Sequence, residues 1–207
     1  MDWILNAFVV LFVVVDPVGN APIFAALTRG LPDAERRRTA VKGVTLSAAI
    51  LLAFFAVGNG LLSALGIGIP AFRIAGGLLL FMVAIDMVFA RQSGLRGATP
   101  SEQAEAYERD DISIFPLAFP LIAGPGAITT VLLMASDSPD LAGQGIRLGV
   151  ILVVLFITLA SLLLTARIMK VLGETGANVI DRLLGLILAA IAVQFVVDGV
   201  RGAFGLG

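Results

Sequence analysis

The chain has 207 residues, 58% hydrophobic and only 14% charged, with a mean hydropathy of +1.01 and a formal net charge of −1. Soluble domains carry about a quarter of their residues as charges, so these values exclude a water-soluble globular domain. With no cysteine and no histidine, disulfides, thiolate metal sites and imidazole catalysis are excluded, and no basic run is long enough to bind nucleic acid.

Apolar runs predict six membrane-spanning helices near 4–27, 43–65, 69–90, 113–135, 146–168 and 180–203. The first follows Met1-Asp2-Trp3, which lacks the basic start of a cleaved signal peptide, and is expected to be a retained span. It contains Asp16-Pro17-Val18-Gly19-Asn20-Ala21-Pro22. A loop rich in basic residues follows, with Arg29, Arg36, Arg37, Arg38 and Lys42. Spans two and three are joined by a tight turn at Gly66–Pro70, where Gly supplies freedom and Pro a helix start. Span three begins near Arg73 and ends near Asp86, where charge is cheap at the interface. The polar segment 91–112 is the one substantial loop, and Thr99-Pro100-Ser101-Glu102 predicts a short cytoplasmic helix running to Tyr107. Span four contains Pro120-Leu121-Ile122-Ala123-Gly124-Pro125-Gly126. In span six, Gln194 is expected to hydrogen-bond across helices, with Asp198 at the end. Gly76-Gly77 and the Gly145/Gly149 pair suit close helix packing.

Alternate loops carry eleven of the fourteen Lys and Arg residues, leaving Arg73, Arg147 and Arg201 on the opposite side. The positive-inside rule then predicts that both termini lie outside the cytoplasm.

The prolines hide a repeat. Pro17 and Pro22 recur as Pro120 and Pro125, both 103 residues later, and Arg73–Leu78 is echoed by Arg182–Ile187 at an offset of 109. Two halves of three spans each must be inverted relative to one another, as in many secondary transporters. The expected fold is therefore all-α: one transmembrane domain over 1–207, with repeat one at about 1–90, a linker at 91–112 and repeat two at about 113–207.

Paired prolines inside a span remove backbone hydrogen bonds and should break the helix. In hydrocarbon the freed groups need partners from protein, water or ligand. Two breaks at matched mid-depth positions would expose half-helix ends: amides that attract anions and carbonyls that attract cations. Both ends together suit a small zwitterion such as an amino acid. Pro22 and Pro125 are expected to begin half-helices, Gly126 allows close approach, and Thr129 and Thr130 offer hydroxyls one turn on. Asp16 is costly near mid-membrane, which marks it as a coupling site for a proton or sodium ion. It equally suits the N-cap of a half-helix, and both roles are compatible.

Phe12–Phe24 with Thr28, and Pro116–Thr130, resemble the first-span and fourth-span signatures of the MarC family, with no departure within either motif. The resemblance covers the whole chain. It implies a multi-pass protein of the bacterial or archaeal cytoplasmic membrane, with six spans and its termini outside. It also implies a family that includes transporters of small neutral amino acids such as alanine, glycine and threonine. Carried over by motif, Asp16, Gly19, Asn20, Pro22, Gly124, Pro125, Gly126 and Thr129 fall at the presumed centre.

The leading expectation is thus a secondary transporter of small neutral amino acids. Its expected partners are a zwitterionic substrate, a proton or sodium ion as the candidate coupling ion, and the lipid bilayer. No cofactor, metal or nucleic acid is expected. The alternatives are an exporter of another small metabolite and a membrane scaffold without transport. An intramembrane enzyme is disfavoured, because no HExxH or Gly-x-Ser-x-Gly motif occurs and Asp16 has no evident mid-depth carboxylate partner.

Overall fold

The computed structural model describes residues 2–89, 111–136 and 141–205, and among them every regular element is helical. The first span is split into α1 (Asp2–Val15) and α2 (Asn20–Leu27). Two long helices follow, α3 (Asp33–Ala64) and α4 (Ile69–Phe89). The fourth span is also split, into an irregular, widely wound α5 (Ser113–Ile122) and a regular α6 (Pro125–Ser136), which meet at 58°. The chain continues through α7 (Leu141–Leu163) and α8 (Thr165–Phe204). Among the described residues five stretches are long and apolar enough to cross a membrane, and the bent pair α5–α6 makes up to six. The protein is a polytopic helical membrane protein.

Two side-chain clusters hold the bundle together. The larger joins α1, α2, α3, α5, α6 and α7 through residues such as Leu11, Phe24, Leu51, Ile122 and Ile151. The smaller joins α1 to α4 and α8 through Val13, Leu80, Met87, Leu188 and Ala192. The broken first span therefore sits between two packing units, with different faces turned to each. Outward-facing positions remain apolar: Phe156 is 71% exposed and Leu186 58%. In water such a surface would aggregate, whereas lipid is its natural solvent.

Across the halves, α3 packs on α5, α6 and α7; α7 packs on α1 and α2; α4 packs on α6 and α8; and α8 packs on α1 and α2. The α4–α8 contact is the most extensive and depends on glycine. A Cβ on Gly77 would lie 2.7 Å from the Ala192 carbonyl, and one on Gly199 would lie 2.8 Å from the Pro70 carbonyl.

Several sequence expectations are corrected. The basic stretch after span one is largely helix, because α3 starts at Asp33. Pro32 precedes it, and Asp33 and Glu35 occupy its first turn. At 32 residues it is about 48 Å long, more than the roughly 30 Å of hydrocarbon, so its basic end projects beyond the membrane. The fifth span ends at Leu163, five residues earlier than expected, and a short helical stretch from Thr165 runs to a left-handed Gly173 (φ 64°) before the last span. Among the described residues Gln194 makes its hydrogen bond within its own helix: its amide donates to Asp198, one turn on, at 2.7 Å. Nothing lies within 4 Å of a Cβ at Gly145 or Gly149, so neither mediates packing among the described residues. Asp86 lies in the last turn of α4, as expected, but is buried at 7% exposure, because it is on the inner face of the helix beside Met87. The short helix expected near 99–107 lies outside the described residues.

Candidate functional site: two helix breaks and a vestibule

The first break runs from Asp16 to Gly19. Asp16 takes a left-handed conformation (φ 50°), a region open to Asp and Asn but strained for most other side chains. Its Oδ1 accepts the Gly19 amide at 3.0 Å, which caps the start of α2. The Asn20 side chain turns back and donates to the Val15 carbonyl at 2.7 Å. The Asp16 carbonyl accepts the Asn20 amide at 3.1 Å, and the Pro17 carbonyl accepts Ser161 Oγ of α7 at 2.6 Å. Three carbonyls freed by the break are thus satisfied by protein, which is how an interrupted backbone persists in an apolar interior. Asp16 and Asn20 are 2% and 3% exposed.

The second break is longer than the Pro120–Pro125 motif suggests. Irregularity begins at Phe115, where Pro116 follows a cis bond, and Phe119-Pro120 is also cis. Gly124 is obligatory at the bend, since a Cβ there would collide with the Pro120 carbonyl. Pro125 then starts α6, and the Gly124 carbonyl accepts the Ile128 amide at 3.0 Å. Gly126 and Ala127 supply first-turn amides, which have no intrahelical partner. Ser47 of α3 approaches the Ala118 carbonyl at 3.5 Å, as Ser161 approaches the first break.

The two breaks are brought together. A Cβ on Gly126 would lie 3.3 Å from Val14, two residues before Asp16, and 2.8 Å from Leu80 of α4. Contacts of α1 with α6 and of α2 with α5 close the arrangement. Thr129 is buried with its methyl against Gly76, where any Cβ would collide with it. The Thr130 hydroxyl donates to the Gly126 carbonyl at 2.9 Å and so presents only acceptor lone pairs elsewhere.

Beside Thr130 opens a cavity of about 410 Å³ lined by Trp3, Asn6, Ala7, Val10, Thr130, Leu133, Met134, Arg147 and Phe195. It reaches from the N-terminal end of α1 down to Val10 and Thr130. Val10 is six residues before Asp16, about 9 Å along the helix. Arg147 of α7 donates through Nη1 to the Met134 carbonyl, and its guanidinium lies 5.3 Å from the centre of the Trp3 ring.

At the other end, Lys42 of α3 pairs with Asp111 just ahead of α5, and Asp111 also accepts from the Ser113 amide and hydroxyl. The hydrogen bond from Lys42, followed by that from the Ser113 hydroxyl, lowers the Asp111 carboxyl to about 2. This pair ties the N-terminal third of α3 to the start of the broken fourth span.

Residues 1–204 match the family described as MarC family integral membrane protein. The chain is 39% identical to a UPF0056 membrane protein of Methanocaldococcus jannaschii, over 98% of both chains. It is 38% identical to the UPF0056 membrane protein YvbG of Bacillus subtilis, over 98% of this chain and 96% of that one. It is 32% identical to the UPF0056 inner membrane protein YhgN of Escherichia coli, over 97% and 98%. The chain belongs to the MarC family of integral membrane proteins. No solved structure matches it.

In this MarC-family protein Asp16, Gly19 and Asn20 form one hydrogen-bonded unit, and Gly124, Pro125 and Gly126 form the facing bend. Pro22 is the third residue of α2, inside its first turn and half-buried, so it does not itself begin that helix. Thr129 is committed to packing on Gly76, while Thr130 borders the vestibule. Sequence reasoning overlooks Ser161, because a serine within an apolar span carries no distinguishing pattern. It also overlooks Arg147, whose position near a span end has the ordinary reading of an interfacial anchor.

Proposed function

We propose that this MarC-family protein is a secondary transporter, not an enzyme, that moves small neutral amino acids of the alanine, glycine and threonine class across the cytoplasmic membrane. The observation that carries this reading is a buried carboxylate, Asp16, in a helix break packed against a second break. A buried ionisable group at membrane depth is expensive and is a functional-site signal by default. In this reading the substrate carboxylate meets the Gly126 and Ala127 amides at the start of α6, and the ammonium group faces Asp16 and Asn20. A proton or sodium ion on Asp16 couples the movement to a gradient.

Alternating access further requires two inverted repeats. The packing pattern supports this: exchanging span one with four, two with five and three with six converts each contact between the halves into another contact of the same set. We place both termini outside the cytoplasm, because the basic end of α3 and the Lys42–Asp111 pair lie at the opposite end of the bundle from the vestibule.

Flux of labelled alanine, glycine and threonine into proteoliposomes under imposed proton or sodium gradients tests the reading. Asp16→Asn is the informative variant, since Asn preserves both the cap and the left-handed backbone and removes only the charge. The expected outcome is gradient-driven uptake in the wild type and at least a tenfold loss in the variant. Full uptake by the variant would reduce Asp16 to a cap. Folded wild-type protein that carries none of the three under any gradient would defeat the amino acid reading and favour export of another small metabolite.

A further inference from the structure

We propose that the vestibule between α1, α6, α7 and α8 is an entry site that reads the carboxylate of a small organic acid or amino acid through Arg147. The inference deepens the transport reading and relies on it for the fate of the bound molecule, but not for binding itself.

Four observations converge on this site. The first is the charge of the lining: among the described residues that line it, Arg147 is the one charged group and none is acidic. Arg147 repels an organic cation, whereas it offers an anion a guanidinium built for paired hydrogen bonding to carboxylate. The second is the state of Arg147. Among the described residues ion pairs are made by Arg36 with Asp33 and by Lys42 with Asp111, and none by Arg147. Its Nη1 is held by the Met134 carbonyl and its Nε is buried with no hydrogen-bond partner. A guanidinium in a largely apolar setting with one protein acceptor leaves donors to be satisfied, and an arriving carboxylate supplies both the charge and the acceptors.

The third observation is the remainder of the lining. Ala7, Val10, Leu133, Met134 and Phe195 form an apolar wall suited to a short aliphatic side chain. Among the described lining residues, Asn6 and Thr130 carry side-chain oxygens that can accept from an ammonium group. The fourth is position. Thr130 lies one turn beyond Gly126, so the floor of the vestibule adjoins the second break and a bound molecule waits directly above it. At 410 Å³ the cavity falls within the range of small-molecule sites and has room for such an acid with its water.

The chain itself carries the reporter. Trp3 is its single tryptophan, and it lies against Arg147 in the vestibule. A carboxylate that engages the guanidinium must perturb the Trp3 emission, excited at the red edge of the indole band to exclude Tyr107. The experiment titrates the full chain, in nanodiscs of neutral lipid, with alanine, propionate and alaninamide. Alaninamide keeps the size and the ammonium group of alanine but has no carboxylate. A saturable change with alanine and propionate is expected, with at least a tenfold weaker response to alaninamide. Arg147→Gln should raise the half-saturating concentration of alanine tenfold or more, with Arg147→Lys intermediate.

Equal responses to alanine and alaninamide would overturn the proposal, as would Trp3 emission unmoved by any of the three. Both comparisons need only the wild type, so a poorly folded Arg147 variant leaves the test decisive. Failure here and failure of transport are separable. Flux without a Trp3 response removes the vestibule site and leaves the transporter. A carboxylate-specific Trp3 response without flux keeps the site and removes transport.

Discussion

At the scale of single residues, the first span is governed by what Asp16 does for the backbone around it. It adopts φ 50° and accepts the Gly19 amide, so two separate requirements fall on one side chain. Asp16→Asn satisfies both, whereas Asp16→Leu satisfies neither and leaves an aliphatic residue in a conformation that costs of order 1–3 kcal/mol. The expected result in detergent is a melting temperature near wild type for Asn and a clear loss for Leu. The loss should be at least the roughly 1 kcal/mol typical of a deleted cap. Equal melting of the two variants would mean that the break does not depend on this residue. Asp16 and Asn20 are legible in the sequence because polar residues beside prolines in an apolar run are too costly to be there for packing alone. Asp86 is not, because position along a span predicts depth but not which face is turned inward. Arg147 is illegible for a different reason. It is distinguished by Trp3, far away in the chain, and by a backbone carbonyl near the end of α6, and neither leaves a mark on local spacing.

At the scale of elements, hydropathy finds apolar length and is blind to helix that continues past it. Span three agrees with α4 to within a residue, since the Gly66–Pro70 turn and a polar segment bound it on either side. The first turns of α3 escape it because Arg36, Arg37 and Arg38 register as loop on any hydropathy count, although Pro32 and Asp33 mark a helix start. The pairs of small residues are half legible. Both Gly76-Gly77 and Gly145/Gly149 fit close packing by composition, but among the described residues only the first pair faces a neighbour. This asymmetry gives a direct test. Gly77→Ala places a methyl 2.7 Å from the rigid Ala192 carbonyl and should cost about 1–3 kcal/mol, in line with overpacked interiors. Gly149→Ala meets nothing within 4 Å and should be neutral or stabilising by up to about 1 kcal/mol, as for a helix-interior glycine replaced by alanine. Thermal unfolding of the two variants in one detergent, side by side, checks the contrast. A destabilised Gly149→Ala would place a further partner, such as a second copy of the chain, against α7.

At the scale of the whole molecule, the breaks, the vestibule and the Lys42–Asp111 pair lie along one axis, and their meaning depends on which end faces the cytoplasm. The vestibule opens beside Trp3 and Asn6, at the end of the bundle that carries the start of α1 and the α3–α4 turn. The opposite end carries Arg29, Arg36, Arg37, Arg38 and Lys42. A carboxylate-reading vestibule outside the cell serves uptake, and the same vestibule inside serves export, so orientation sets which side captures substrate first. Hydropathy is alike in the two halves, and the basic residues alone break the tie. The chain has no cysteine, so single cysteines can be introduced without a background. Ile67→Cys lies in the exposed α3–α4 turn and Arg37→Cys on the exposed first turns of α3. A membrane-impermeant maleimide applied to intact cells should label Ile67→Cys, and Arg37→Cys only after the membrane is opened. The reverse pattern would turn the molecule over, place Arg147 on the cytoplasmic side, and make the vestibule a site for loading substrate to be expelled. Labelling of both positions in intact cells would mean that the population inserts in two orientations. Two apolar halves of three spans each would permit that arrangement, and the gathering of eleven of the fourteen basic residues in alternate loops of the sequence should prevent it.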